Sequence, residues 1–168
     1  GSTRMVIGTD NRLHLLFNSS GSGLSDPEKL IYATCATDST QPASWTQTDL
    51  ASLFGRFWDS PRHGVPLVID SQNRLTFTVD RKNYTNGGVT LATCTSGCGT
   101  VGNWSVGVIR ASGTRTVLAA RGTTLHQLID NGTPSGKGTS LAYRTCASNC
   151  ALEASWQELP NLFVYNGE

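Results

Sequence analysis

Short apolar runs with the alternating pattern of β-strands recur three times along the chain. In each repeat one run ends in a cysteine, and a tryptophan follows ten residues later. The three pairs are Cys35 and Trp45, Cys94 and Trp104, and Cys146 and Trp156. The tryptophans are 59 and then 52 residues apart, and a period of this length indicates one supersecondary unit used three times.

Four strands are predicted in each repeat. The first strand is predicted at 5–8, 66–70 and 116–120, and the second at 13–17, 75–79 and 125–129. The third strand runs into the cysteine and the fourth follows the tryptophan. No segment has the periodicity and caps of a helix. The pattern therefore predicts a single all-β domain whose repeats cover about 3–52, 65–112 and 113–160.

The third strand of each repeat has two different faces. Bulky residues occupy one face, namely Leu30 and Tyr32, Val89 and Leu91, and Leu141 and Tyr143. The opposite face is mostly small and weakly polar, as at Ala33 and Ala92. A sheet of this kind can pack a neighbour on both sides, as the blades of a β-propeller do.

Five cysteines are many for a cytosolic chain of 168 residues. Four of them form two close pairs, Cys94 with Cys98 and Cys146 with Cys150, whereas Ser39 takes the second position in repeat one and leaves Cys35 without a local partner. A partner that can be lost suits a disulfide better than a metal site, where each missing ligand is costly. A single zinc site built from both pairs is the alternative. Disulfides would place the chain in an oxidising compartment.

The turn DNRLH, the run LIYATC and a later SW (NW in repeat two) resemble the four-stranded repeats of large secreted bacterial β-propellers. The resemblance implies four-stranded blades, with Cys-x3-Cys as a staple in the last hairpin. It says little about function. Because repeat one lacks the second cysteine, Cys35 is expected to be a free thiol or to bridge two chains.

Three blades do not close a ring, because propellers usually have four to eight. The chain is therefore expected to self-associate as a dimer or trimer, or to be part of a longer array. A β-trefoil also uses three four-stranded repeats and needs no partner, so it is the alternative fold.

Composition narrows the function further. Charged residues make up 15% of the chain, against about 25% in typical globular proteins, and the formal net charge is +1. No broad electrostatic field favours nucleic acid or an anionic membrane. No apolar run reaches the roughly 20 residues of a membrane-spanning helix.

The linker between repeats one and two is longer than its counterpart, with 30 residues from Trp45 to Leu75 against 21 from Trp104 to Leu125. The predicted ligand contacts in this linker are Arg56, Trp58, Asp59, Arg62 and His63, to which the loop after strand two of repeat two adds Asn83 and Tyr84. An aromatic ring stacks on a sugar face, and charged groups bind its hydroxyls. The alternative is that the linker aromatics fill a cavity or a subunit seam.

Other notable residues are predicted to be structural. Trp45, Trp104 and Trp156 recur in every repeat, which favours packing over binding. His14 and His126 share a strand position that accepts Thr76 in repeat two. The segments 10–12 and 72–74 are turn formers.

The sequence therefore predicts an extracellular, non-enzymatic binding module, adhesin or lectin-like, that recognises a cell-surface glycan, with no cofactor and no metal. No HExxH or GxSxG motif and no repeated carboxylate pair supports an enzyme. The alternatives are a structural or assembly domain of a larger secreted or fibre protein and, less favoured, a glycan hydrolase.

Overall fold

A computed structural model describes residues 3–19, 29–54, 65–81, 88–110, 114–130 and 139–165. The described chain is all-β and forms three four-stranded antiparallel sheets, as predicted. Sheet 1 contains β1 (Thr3–Ile7), β2 (Leu13–Ser19), β3 (Lys29–Cys35) and β4 (Trp45–Asp49). Sheet 2 contains β5 (Leu67–Ile69), β6 (Leu75–Arg81), β7 (Gly88–Cys94) and β8 (Ser105–Arg110). Sheet 3 contains β9 (Thr114–Arg121), β10 (Thr124–Asp130), β11 (Thr139–Cys146) and β12 (Gln157–Tyr165).

Each sheet is made from one repeat, and its strands pair in sequence order. Short 3-10 turns precede the fourth strands at Pro42–Ser44, Val101–Asn103 and Glu153–Ser155, and a further one follows β4 at Ala51–Leu53. The register is equivalent in all three sheets, because Leu13 pairs with Cys35, Leu75 with Cys94 and Leu125 with Cys146. This shared register allows residues of different repeats to be compared position by position.

The alternation along the strands gives each sheet two faces, which we name by one position on each. The tyrosine face carries Tyr32 in sheet 1, Leu91 in sheet 2 and Tyr143 in sheet 3. The tryptophan face carries Trp45, Trp104 and Trp156 respectively. The tyrosine face of sheet 1 packs on the tryptophan face of sheet 2, and that of sheet 2 packs on the tryptophan face of sheet 3. The prediction that both faces pack is therefore confirmed for sheet 2.

Two hydrophobic cores lie between the sheets. The first is aromatic: the rings of Tyr32 and Phe77 each meet Trp104 edge to face, with centroids 5.6 Å and 5.2 Å away. The second core contains Leu91, Leu118 and Trp156 among others. The first strands of neighbouring sheets lie side by side, β1 against β5 and β5 against β9. The three sheets therefore meet along their first strands.

The third sheet carries Arg144 where the other two sheets have an alanine, Ala33 or Ala92. Arg144 is buried, places its guanidinium 5.0 Å from the ring centre of Trp156 and donates from Nη1 to the carbonyl of Ile109 at 2.8 Å. Burial lowers the pKa of Arg144, although the carboxylate of Glu158 opposes the shift. Arg144 therefore ties sheet 3 to the last strand of sheet 2.

The cysteine pairs are disulfides, Cys94–Cys98 and Cys146–Cys150, and Cys35 is a free buried thiol. Each disulfide lies in the loop that precedes the tryptophan. The indole Nε1 of Trp104 donates to the carbonyl of Cys98 at 2.9 Å, and that of Trp156 donates to Cys150 at 2.9 Å. Trp104 and Trp156 are buried, as the packing interpretation predicts, whereas Trp45 is half-buried. Within the described ranges, no helix has the length and apolar character needed to cross a bilayer.

Candidate functional site

A polar groove of about 630 Å³ lies where sheets 1 and 2 meet. Sheet 1 lines one side and sheet 2 the other, together with the disulfide loop of sheet 2. The lining residues used below are Asp10, Arg12, His14, Tyr32, Gln72, Asn73 and the loop 95–99. The groove is therefore bounded by the turns between the first and second strands of sheets 1 and 2, and by the loop between the third and fourth strands of sheet 2.

The turn between β1 and β2 places two charged side chains in the groove. Asn11 has φ +60°, a left-handed conformation that asparagine tolerates better than most residues, and this closes the turn tightly. Asp10 accepts the backbone N–H of Arg12 at 3.1 Å, and its Oδ2 lies 3.5 Å from Arg12 Nε. The two side chains are 45% and 50% exposed, so this ion pair is open to solvent.

The corresponding turn of sheet 2 has the opposite character. Asp70 is buried, and its carboxylate lies 2.8 Å from Nη2 of Arg74. That same Nη2 donates to the carbonyl of Thr123 in sheet 3 at 2.8 Å. The pair at this turn therefore closes the junction between sheets 2 and 3, whereas the pair at the first turn leaves its junction accessible.

Gly8 explains the difference. A Cβ on Gly8 would overlap Asp10 Oδ1, and it would lie 3.1 Å from Asn73 Oδ1 and 3.4 Å from His14 Nε2. The absence of a side chain at position 8 thus gives room for the Asp10 carboxylate beside the imidazole and the amide. The glycine is required here by this close approach.

His14 and Tyr32 form the floor of the groove. His14 Nδ1 and the Tyr32 hydroxyl are 2.7 Å apart, and the rings lie nearly parallel with centroids 6.0 Å apart. Burial lowers the pKa of His14, and the opposing effect of Asp10 is smaller. Burial also raises the pKa of Tyr32. Both groups are therefore favoured in their neutral forms at physiological pH, and both present hydrogen-bonding atoms.

Sheet 2 supplies the other wall. Asn73 Oδ1 accepts the N–H of Thr9 at 2.8 Å and its hydroxyl at 3.0 Å, so the amide N–H groups are the donors that Asn73 can offer to a ligand. At the far side, the hydroxyl of Thr48 donates to the carbonyl of Gly99 at 2.6 Å. These bonds join the two sheets at both margins of the groove, which gives it a fixed width.

The groove offers carboxylate, guanidinium, amide and hydroxyl groups. Among the described residues there is no group of three or more His, Cys, Asp or Glu side chains placed to hold a metal ion. The arrangement can therefore bind a polar molecule by hydrogen bonds.

The ligand contacts predicted from sequence lie outside the described residues. These are Arg56, Trp58, Asp59, Arg62 and His63 in the linker and Asn83 and Tyr84 in the following loop. Both ends of the linker are described. Phe54 meets Phe77 edge to face with centroids 5.7 Å apart, and Val65 is buried in the first core. The ends of the linker are therefore packed in the core between sheets 1 and 2.

Sequence reasoning missed the groove because it assigned its residues to turns. Asp10 and Arg12 do form a turn, and they also line the groove. The available signal was a difference between repeats: Gly8 stands at the position of Asp70. A buried acid replaced by glycine releases its arginine, but this inference requires knowing that Asp70 is buried.

Comparison with protein-family models and with curated proteins found no match. Among solved structures, the fold is similar to that of a fucose lectin from Kordia zhangzhouensis in complex with methyl-fucoside. The TM-score is 0.51 at 12% sequence identity, and the alignment covers 98% of this chain and 100% of the lectin chain. At this identity the similarity establishes a shared all-β fold.

Proposed function

We propose that the chain is a non-enzymatic, lectin-like module and that the groove between sheets 1 and 2 binds a neutral saccharide. The observation that carries this proposal is the exposed Asp10–Arg12 pair, set in a groove otherwise lined by hydroxyl, amide and imidazole groups. Sugar hydroxyls both donate and accept. A carboxylate and a guanidinium fixed side by side can accept from one hydroxyl and donate to its neighbour.

The charge balance favours a neutral sugar over an acidic one. Asp10 and Arg12 cancel in charge, and burial keeps His14 neutral by lowering its pKa. A sialylated, sulfated or phosphorylated ligand needs a cationic excess, which the described lining does not supply.

Binding without hydrolysis is favoured by the carboxylate count. Most glycosidases use two carboxyl groups that flank the scissile bond, separated by about 5–9.5 Å. Asp10 is the single carboxylate among the described residues that line the groove. A hydrolytic mechanism therefore lacks its second acid in this part of the chain.

The fold and the disulfides support an extracellular binding role. The similar structure is that of a lectin with a bound fucoside, which makes a saccharide a reasonable first ligand class. Two disulfides suit an oxidising, secreted or cell-surface environment, and the adhesin role proposed from sequence remains compatible with it.

The test is a screen of neutral and acidic glycans, followed by titration of the best neutral hit. Asp10→Ala and Arg12→Ala should each weaken binding by about 10- to 100-fold, because a hydrogen bond to a charged group contributes about 1.5–3 kcal/mol. Arg121→Ala is the matched control, because Arg121 is an exposed arginine at the corresponding turn of sheet 3. Unchanged affinity in both groove variants would remove the groove from the proposal.

The linker residues predicted from sequence remain a second candidate for the same activity. Trp58 is proposed as a stacking platform, with Arg56, Asp59, Arg62 and His63 as polar contacts, and Asn83 and Tyr84 are the contacts proposed on the later loop. Trp58→Ala separates the two candidates. A loss of about 1–3 kcal/mol, the size of base–aromatic stacking, with Asp10→Ala silent, would place the saccharide on the linker.

A further inference from the structure

Within the described part of the chain, the tryptophan face of sheet 1 is uncovered, although it is as apolar as its counterpart in sheet 2. Leu13, Leu15 and Phe17 are only half-buried, whereas the equivalent Leu75, Phe77 and Val79 are at most 1% exposed. The contrast continues in the first strand. Met5 and Ile7 are both 59% exposed. In sheet 2 their counterparts Leu67 and Ile69 lie against the first core.

The tyrosine face of sheet 3 is uncovered in the same way. His126, Leu128, Leu141 and Tyr143 are half-buried there, and Val117 beside them is 63% exposed. Leu159 on the neighbouring strand is 55% exposed.

This face repeats the residues that sheet 1 buries. The equivalent set in sheet 1 is His14, Leu16, Leu30 and Tyr32, identical in residue type at all four positions and at most 7% exposed. The same local contacts recur, because His126 Nδ1 lies 2.6 Å from the Tyr143 hydroxyl, as His14 lies 2.7 Å from Tyr32. Sheet 2 differs at all four positions, with Thr76, Thr78, Val89 and Leu91. The face that sheet 2 covers in sheet 1 is therefore present, intact and uncovered, in sheet 3.

We infer that the tyrosine face of sheet 3 docks on the tryptophan face of sheet 1 of a second copy of this chain. The new junction has the composition of the junction between sheets 1 and 2. On one side it has the same His, Leu, Leu and Tyr set. On the other side it has the tryptophan face of sheet 1, where Leu13, Ala33 and Trp45 have the same residue types as their equivalents in sheet 2, Leu75, Ala92 and Trp104. Contiguous apolar surface of this kind is rare on monomers and marks an interaction surface.

Head-to-tail docking closes with two copies. Each copy contributes three sheets, so two copies joined by two identical junctions form a ring of six, within the usual range of four to eight blades. Three copies would give nine, outside that range. The dimer also explains why Trp45 is less buried than Trp104 and Trp156 within one chain, because its partner ring, Tyr143, belongs to the other copy.

The first experiment measures the solution mass and compares matched variants. The wild-type chain should have twice the 17.9 kDa mass of one copy. Val117→Asp on sheet 3 and Ile7→Asp on sheet 1 should each weaken self-association at least tenfold. Leu152→Asp is the control, because Leu152 is equally exposed, at 60%, but precedes the 3-10 turn that packs on β8.

Mixing the two variants distinguishes head-to-tail from face-to-face pairing. Each variant retains the face that the other has lost, so the mixture should form a dimer through one intact junction. A face-to-face dimer of sheet 3 would instead leave Ile7→Asp dimeric by itself. That result, or a wild-type monomer at the highest soluble concentration, overturns the inference.

A cross-link tests the register of the junction. Thr48 and Gly99 face each other between sheets 1 and 2, and their equivalents are Leu159 in sheet 3 and Thr40 in sheet 1. In a Cys35→Ser background, Leu159→Cys with Thr40→Cys should give a disulfide-linked dimer under oxidising conditions. Thr48→Cys with Gly99→Cys should cross-link within one chain only. Interchain cross-linking of the second pair with none of the first contradicts the proposed register.

Discussion

Gly8 and Asp70 occupy the same position in successive turns of the protein. The backbone N–H of each donates to the carbonyl of the arginine four residues later, at 2.9 Å for Arg12 and 3.1 Å for Arg74. Their carbonyls in turn accept the N–H of Asn11 and Asn73, both at 3.0 Å. The backbones match, and the turns differ at this position: Asp70 pairs with Arg74, whose side chain is 20% exposed, whereas Gly8 leaves the side chain of Arg12 50% exposed in the groove.

Exchanging the first turn for the second should close the groove. The double variant Gly8→Asp with Asp10→Gln gives the first turn the residues of the second, because position 8 is equivalent to Asp70 and position 10 to Gln72. The new carboxylate should draw Arg12 into a buried pair, and the Asp10 exchange removes the carboxylate that the new Cβ would overlap. Saccharide affinity should fall at least tenfold, since the charged contacts contribute about 1.5–3 kcal/mol, while the melting temperature stays close to that of the wild type.

Calorimetric titration with the neutral sugar, beside a thermal melt, checks both outcomes. Asp10→Gln alone is the control, because it removes the carboxylate without recreating the buried pair. If the double variant binds as well as the wild type, then Arg12 has no part in recognition.

The sequence predicts the scaffold well because strand alternation reports which residues share a face of the sheet. Leu30 and Tyr32 alternate with Ile31 and Ala33, and a period of two residues has only one structural meaning. The cysteine spacing likewise predicts the two disulfides that the structure contains.

The groove is less visible in the sequence because it depends on what a turn lacks. Asp10 with Arg12 and Asp70 with Arg74 look alike as acid–base pairs in turns. The first pair is solvent-exposed and the second is mostly buried, and the difference depends both on the acid at position 70 and on the carbonyl that Thr123 of sheet 3 offers to Arg74. A contact between repeats that are far apart in sequence is not encoded in the local pattern. The free faces pose the same problem, because identical residues at His14 and His126 are covered in one sheet and uncovered in the other.

Stability should decrease on mild acidification because of His14. Burial lowers the pKa of His14 in the folded protein below its ordinary value of about 6.5, which the unfolded chain retains. Between those two pKa values the unfolded chain binds more protons, so the free energy of unfolding falls as the pH is lowered through this window. Asp10 opposes the shift and Arg12 adds to it, so the window is set mainly by burial.

Urea unfolding at several pH values between about 7 and 5 measures this effect. The matched variant is His14→Thr with Tyr32→Leu, which installs the residues that repeat two carries at Thr76 and Leu91. This variant should lose the component of the pH dependence that comes from His14. An identical pH dependence in both proteins would assign it to other groups.

Gln127 should be replaceable by leucine with a gain in stability. Its side chain is 1% exposed, and neither amide atom has a hydrogen-bond partner among the described residues. A buried polar group without a partner costs about 1–3 kcal/mol. Repeats one and two carry Leu15 and Phe77 at this position, so a leucine suits the strand.

Gln127→Leu is therefore expected to raise the free energy of unfolding by about 1–3 kcal/mol, measured by urea denaturation. Gln127→Ala controls for volume, because it removes the amide but leaves a cavity, and it should be less stable than Gln127→Leu. A less stable leucine variant would show that the amide is satisfied in solution.

Ser39→Cys should complete the third disulfide of the protein with Cys35. The loop of repeat one has the geometry of the other two, because Trp45 Nε1 donates to the carbonyl of Ser39 at 3.1 Å, as Trp104 does to that of Cys98 at 2.9 Å. Cys35 is buried at the end of β3, as Cys94 and Cys146 are at the ends of β7 and β11.

Closing so short a loop should stabilise the fold by about 2 kcal/mol, below the roughly 3 kcal/mol of a 15-residue loop. The melting temperature should then rise by roughly 4–8 °C under oxidising conditions and return to the wild-type value when that bond alone is reduced. Thiol titration and peptide mapping identify the bond, and Ser39→Ala controls for loss of the hydroxyl. If Cys35 instead links two chains while the introduced thiol stays free, the loop of repeat one differs in solution from those of the other two repeats.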